Sequence, residues 1–311
     1  MSNTDIIKGI VKGDRKAISK AITMIEDELP GSKELYFQLY KMSGSSFVIG
    51  IAGPPGAGKS TLVNCLVKEF RSRGDRVGVI AVDPTSPVSG GALLGDRIRM
   101  LEHSLDEGVY IRSMASRGSE GGISRATRKA IVVLDAAKYT KILVETVGIG
   151  QTELDISKVS DLTVVVIMPQ MGDEVQAIKA GLMEIGDIFV VNKSDLEGSD
   201  KAVLQILPFV KEKDGWKPPV IRTSAKNCSG ISELAKSISM YEEWFRNRQQ
   251  KENLNRVVME VKEAVYSKLE NLINKAMDEK DTRAMLYKIA ERNMDPDTLA
   301  DLIIKRIFKN F

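Results

Sequence analysis

The chain has 311 residues, 43% apolar and 28% charged, and its 45 Lys and Arg nearly balance its 42 Asp and Glu for a net charge of +3. That length permits one large α/β domain with appendages or two smaller domains, and the charge balance makes no case for nucleic acid as a partner. Two cysteines without paired spacing, Cys65 and Cys228, fit a reducing cytoplasm and exclude a disulfide scaffold or cysteine-rich metal site, and no segment has the ~20 apolar residues of a membrane span or a signal-peptide core. A soluble cytoplasmic protein without membrane association is expected.

Residues 1–45 read as an N-terminal helical region, with Ile6, Ile7, Ile10, Ile18, Ile22 and Ile25 recurring at three- and four-residue spacings. Pro30-Gly31 breaks that run, and Met42-Ser43-Gly44-Ser45-Ser46 reads as a hinge. Residues 46–248 alternate short β-branched runs with amphipathic segments. The runs Phe47–Ala52, Val77–Val82, Val109–Arg112, Lys141–Glu145, Leu162–Met168, Ile188–Asn192 and Val220–Thr223 predict strands. Several are nearly continuous apolar runs, as in a parallel sheet covered on both faces, so the expected fold is a doubly wound, mostly parallel α/β domain. Residues 249–311 read as a C-terminal helical extension. Val257, Val258, Val261, Ala264, Val265 and Leu269 form one apolar stripe, and Pro296 starts a last helix. The stripe serves either packing on the sheet or a dimerisation arm; the extension exceeds what a nucleotide domain requires, so a homodimer is expected.

The first run leads into Gly53-Pro54-Pro55-Gly56-Ala57-Gly58-Lys59-Ser60-Thr61, and a helix-like segment follows. Strand, glycine-rich turn and helix make a P-loop, in which successive backbone N–H groups converge on phosphate oxygens. Lys59 is placed to reach the β- and γ-phosphates and Ser60 to ligate Mg²⁺. The sixth run ends in Asn192-Lys193-Ser194-Asp195, the guanine-reading pattern of GTPases. Asp195 can accept from both guanine N1–H and N2–H₂, while the Asn192 amide can reach base or loop. Adenine has no such donor pair, and sites of this kind discriminate by ~10⁴ or more. Thr223-Ser224-Ala225-Lys226 follows the seventh run and matches the element supporting the base from its other side, largely through backbone N–H groups.

Glu145-Thr146-Val147-Gly148 ends the fourth run. In many GTPases an aspartate at the Glu145 position holds Mg²⁺ through water, and the Gly148 N–H senses the γ-phosphate. Asp83, ending the second run, and Asp96, thirteen residues on, are further candidates for the metal shell beside Ser60 and Glu145. Lys59, Glu145 and Gly148 are thus the catalytic candidates. The Gly-rich stretch Arg117-Gly-Ser-Glu-Gly-Gly122 reads as a loop that closes over phosphates or lies in solvent, and the lone His103 as a surface or packing residue.

Taken together, GPPGAGKST (53–61), VDPTSP (82–87), GGALLGDRIRM (90–100), RGSEGG (117–122) with RAT (125–127), ETVGIGQ (145–151), GDEVQAIKAG (172–181), NKSD (192–195) and TSAK (223–226) resemble the methylmalonyl-CoA mutase-associated GTPases. These act as chaperones of a cobalamin-dependent mutase. The resemblance is collinear from about Ala17 to Lys236, and ETVGIGQ with GDEVQ and GGALLGDRIRM is its specific part. It implies a P-loop fold, GTP and GDP as ligands, Mg²⁺, and a cobalamin-dependent acyl-CoA mutase as partner. It implies metal-associated roles for Asp83, Asp96 and Glu145, guanine reading by Asp195, and a mobile switch over Gln170 to Ile185. Met171 departs from the small residue of relatives, which bears on the switch and not on nucleotide binding. No catalytic glutamine or general base is assignable, so slow intrinsic turnover is expected. A nickel metallochaperone would need a His/Cys delivery site, which one histidine and two scattered cysteines do not supply. A kinase of an amino-acid transport system would need an aspartate positioning the acceptor, for which no motif is present.

Overall fold

All seven apolar runs become strands of one sheet: β1 Phe47–Ala52, β2 Val77–Asp83, β3 Val109–Ala115, β4 Lys141–Thr146, β5 Leu162–Ile167, β6 Ile188–Val191 and β7 Val220–Arg222. This computed structural model describes residues 2–83, 101–103, 105–115, 125–146, 152–169 and 181–309. Strand order is β3-β2-β4-β1-β5-β6-β7 and every pairing is parallel. β3 runs to Ala115, past the expected end at Arg112; the other boundaries lie within one residue of expectation. Every residue of β1, β4, β5 and β6 is buried, because helices cover both faces and side chains alternate between them.

Ten helices of four or more residues flank or follow the sheet among the described residues; nine are labelled here. On one face Ile49, Ile51, Leu143 and Val164 meet Leu62, Val63, Leu66 and Phe70 of α4 (Lys59–Ser72) and Leu234 and Ile238 of α7 (Ile231–Asp278). On the other face Val48, Val144 and Val165 share a core with α1 (Asn3–Val11), α2 (Arg15–Glu26), α3 (Ser32–Met42) and α5 (Arg125–Ala136). The isoleucine periodicity of the N-terminus is buried there: Ile6, Ile10, Ile18, Ile22 and Ile25 are all covered. The segment after α3 is clamped rather than hinged. The buried Asp135 carboxylate accepts from the N–H groups of Gly44, Ser45 and Ser46 and from the Ser45 hydroxyl, at 2.6–3.2 Å. α6 (Ser199–Ile206) precedes β7.

The chain forms two compact units, Met1–Arg246 and Asn247–Phe311. In the second, α8 (Lys280–Ala290), α9 (Pro296–Lys309) and the end of α7 enclose Ala276, Leu299, Ile303 and Ile307. Val257, Val258, Val261 and Val265 on α7 remain 43–56% exposed.

The cysteines, like the expected hinge, depart from expectation. Cys65 on α4 and Cys228 after β7, 163 positions apart, are joined by a disulfide with Cα atoms 5.6 Å apart. Spacing along the chain carries no information about two segments that a parallel sheet brings side by side.

Candidate active site

The P-loop joins β1 to α4, and two glycines explain its path. Gly53 has φ +140°, and a Cβ there would stand 2.2 Å from the Val166 carbonyl oxygen of β5. Gly58 has φ +89°, and its Cβ would stand 2.4 Å from Asn192 Nδ2. Both substitutions combine left-handed backbone with a collision. The loop can therefore lie against the ends of β5 and β6 only with glycine at both places.

Lys59 is buried, and its Nζ donates to the carbonyl oxygens of Gly53 at 2.5 Å and Pro54 at 3.1 Å. The ammonium is thus held within the curl of the loop, where phosphate charge would lie. Ser60 Oγ donates to Glu145 Oε1 at 2.5 Å. Glu145 is 2% exposed and stands next to last in β4 beside β1, with Ile51 its register partner. The fold therefore brings together two metal candidates 85 positions apart in sequence. A hydroxyl and a carboxylate side by side are a hard-oxygen donor set of the kind Mg²⁺ takes, so the described residues fit that ion. Asp83 closes β2 next to β4, at the same carboxyl edge of the sheet. Asp96 and Gly148 lie outside the described residues, as do Arg117–Gly122 and Gln170–Ala180 of the switch.

The residues expected to read the base are assembled around one amide. Asn192 is 1% exposed. Its Nδ2 donates to the Ala57 carbonyl of the P-loop at 2.8 Å, and its Oδ1 accepts from Thr223 Oγ1 at 3.1 Å and from the Ala225 N–H at 3.0 Å. Of the two roles open to it, base or loop, these bonds serve the loops. Asp195 is exposed, and its Oδ1 accepts from Ser224 Oγ at 2.5 Å. That hydroxyl, above all, holds the carboxyl below its ordinary value, with Lys226 and Lys193 adding smaller attraction. The carboxylate is ionised at neutral pH, as an acceptor of two guanine donors must be. Lys193, at φ +58°, reaches back so that Nζ lies 3.5 Å from Met168 Sδ at the end of β5. Lys226 is exposed beside it on the following loop.

Thr223, the first residue of the TSAK run, is wholly buried and orients Asn192 through its hydroxyl, a role that its place before Ser224-Ala225-Lys226 does not by itself reveal. His103 packs against α4, with Nε2 2.5 Å from Asn64 Oδ1, and burial pushes its pKa down.

The family model described as "Methylmalonyl Co-A mutase-associated GTPase MeaB" matches residues 18–278. A provisionally named GTPase of Pyrococcus abyssi is 45% identical, over 97% of this chain and 96% of that protein. The mouse protein named methylmalonic aciduria type A homolog, mitochondrial, is 38% identical over 73% of this chain and 60% of its own length. Among solved structures, one titled LAO/AO transport system kinase superposes with a TM-score of 0.73 at 24% identity, covering 98% of this chain and 97% of its own, and shares the fold.

Proposed function

This chain belongs to the methylmalonyl-CoA mutase-associated GTPase family, and from that premise we propose that it is a Mg²⁺-dependent GTPase whose nucleotide cycle gates cobalamin loading and protection of a client acyl-CoA mutase, methylmalonyl-CoA mutase or a relative. The observation that carries the nucleotide reading is the Asn192 side chain, which bonds the phosphate loop, the strand end bearing Asp195 and the loop bearing Ser224 into one site. Base recognition and phosphate chemistry are then rigidly connected.

In this reading the P-loop amides and Lys59 hold the β- and γ-phosphates and stabilise the charge that develops as the bond to the γ-phosphorus breaks. Water attacks that phosphorus, releasing phosphate and leaving GDP. Mg²⁺, held through Ser60 with Glu145, Asp83 and Asp96, would neutralise phosphate charge when bound. Glu145 accepts from the Ser60 hydroxyl, so it orients the serine oxygen lone pairs toward such an ion. The Gly148 N–H would sense the γ-phosphate, and the Gln170–Ile185 switch would relay nucleotide state to the mutase.

The exposed α7 valines support a homodimer, since a second copy can cover an apolar stripe that one chain leaves in water. Tracing labelled γ-phosphate tests the chemistry: release to water supports the GTPase, and transfer to protein supports the transport-kinase alternative. Titration with GTP and ATP tests the base, and equal affinities would overturn the guanine assignment. Copurification of a cobalamin-dependent mutase tests the partner.

A further inference from the structure

The cysteine pair lies inside the nucleotide site's framework. Cys65 is on α4, the helix whose first residues are Lys59 and Ser60, and is 3% exposed. Cys228 is exposed and sits in the loop that begins at Thr223. Its sulfur bonds to that of Cys65, which lies 3.3 Å from the Ala225 carbonyl oxygen. Ala225 is the residue whose N–H bonds Asn192, and Ser224 is the residue that holds Asp195. Within the loop, the Ser224–Ser229 bridge and a turn bond from the Asn227 N–H to the Ser224 carbonyl join residues 224–229. Cys228 also holds φ +50°, a left-handed backbone that a residue with a Cβ adopts only when its surroundings enforce it.

We propose that Cys65 and Cys228 form a redox-modifiable site that gates guanine-nucleotide exchange: oxidised, the cross-link holds the base-supporting loop on the phosphate-binding helix; reduced, it lets that loop open and the nucleotide leave faster. This inference rests on the reading of residues 223–226 as the support of a bound guanine. Cys228, as the exposed member, is the sulfur a solution thiol reaches. A thiolate of a small or protein dithiol attacks Cys228 Sγ, forming a mixed disulfide and expelling Cys65 as a thiolate that takes up a proton. The second thiol of the reductant then displaces Cys228. Two electrons pass from the dithiol, which leaves as its own disulfide, to the protein pair. The buried Cys65 thiol, 3.3 Å from the Ala225 carbonyl, can then donate to it, while Cys228 loses the constraint on its left-handed backbone. Freeing about one residue's backbone order corresponds to a change of roughly tenfold in the population of open loop.

The test uses the full-length chain loaded with a fluorescent GDP. The oxidised protein is made with a mild thiol oxidant, the reduced one with dithiothreitol, and the thiols of each are counted by alkylation and mass. The expected result is a two-thiol difference between them, with GDP release about tenfold faster when reduced. Cys228→Ser is expected to release GDP at the fast rate under both conditions, and Cys65→Ala should match it; agreement of the two variants with reduced wild type excludes a folding artefact. Equal release from oxidised and reduced wild type overturns the gate, as does failure of the oxidant to consume both thiols. Loss of GDP binding in both redox states, by contrast, overturns the guanine-site reading itself and the gate with it.

Discussion

At Asp195 the surroundings suit the proposed role of accepting from guanine. Its carboxyl is held below the ordinary value of 3.8 first by the Ser224 hydroxyl, so it is an acceptor throughout the neutral range. The same bond stabilises the folded chain above pH 3.8, and that contribution is lost as pH falls through the lowered folded value. Asp195→Asn replaces one acceptor with a donor. It should weaken GTP by roughly 100-fold or more, since one guanine donor then faces a donor and the other loses its charged acceptor. It should also favour xanthosine triphosphate, whose C2 carries an oxygen; competitive titration checks both. Lys59→Ala removes the ammonium enclosed by the loop and should lower single-turnover hydrolysis by about 10²–10³-fold. Glu145→Ala leaves Ser60 without its carboxylate partner and should raise the Mg²⁺ concentration for half-maximal rate. An unchanged Mg²⁺ dependence would remove Glu145 from the metal shell.

Between elements, buried carboxylates decide where connections are fixed. Asp135 on α5 receives three backbone N–H groups and a hydroxyl from residues 44–46, which fixes how α3 enters β1. Asp135→Ala would strand those donors, and stability should fall by about 2–5 kcal/mol, read from the midpoint of urea unfolding. Asp187, just before β6, is a second, half-buried case. Its Oδ2 accepts from the Thr163 N–H at 2.9 Å and its Oδ1 lies 3.5 Å from Lys213 Nζ. Burial pushes its carboxyl above the ordinary 3.8 and Lys213 opposes this only in part. With the folded value raised, its contribution to stability is full below pH 3.8 and is lost as pH rises through the raised value. Asp187→Asn should flatten that decline, and urea midpoints measured from about pH 4 upward in both proteins test it. A parallel pH dependence in the two would show that Asp187 is not its source.

For the whole molecule, the proposed function requires that two surfaces respond to partners. Val261 and Val265 are 56% and 49% exposed on α7. Val261→Glu should shift the protein from dimer to monomer in sedimentation while leaving nucleotide binding intact. Coupling between nucleotide and client must run in both directions, since binding free energies are reciprocal. The cognate mutase should therefore accelerate GTP hydrolysis. Asp173→Ala with Glu174→Ala should lose most of that acceleration and keep the intrinsic rate. No stimulation by any cobalamin-dependent mutase of the same cell would overturn the chaperone reading, and equal loss of both rates would make the segment catalytic.

The sequence by itself determined the seven strands, because runs such as Leu162–Ile167 are buried on both faces and so are almost wholly apolar, Thr163 being the one polar residue in that run. It also determined the phosphate loop and the Asp195 strand end, because backbone-cradled phosphates and a guanine edge demand particular residues at short spacings. Other features were legible only in three dimensions. Asn192 was open between base and loop until Ala57, Thr223 and Ala225 surrounded its amide. The serine-rich segment at 43–46 suggested a hinge, and a carboxylate some 90 positions away made it a fixed joint. Cys65 and Cys228 looked unrelated, and the fold put α4 and the helix after the Cys228 loop on the same face of the sheet. In each case the deciding partner is remote in sequence, and local pattern records only what a residue's neighbours along the chain require.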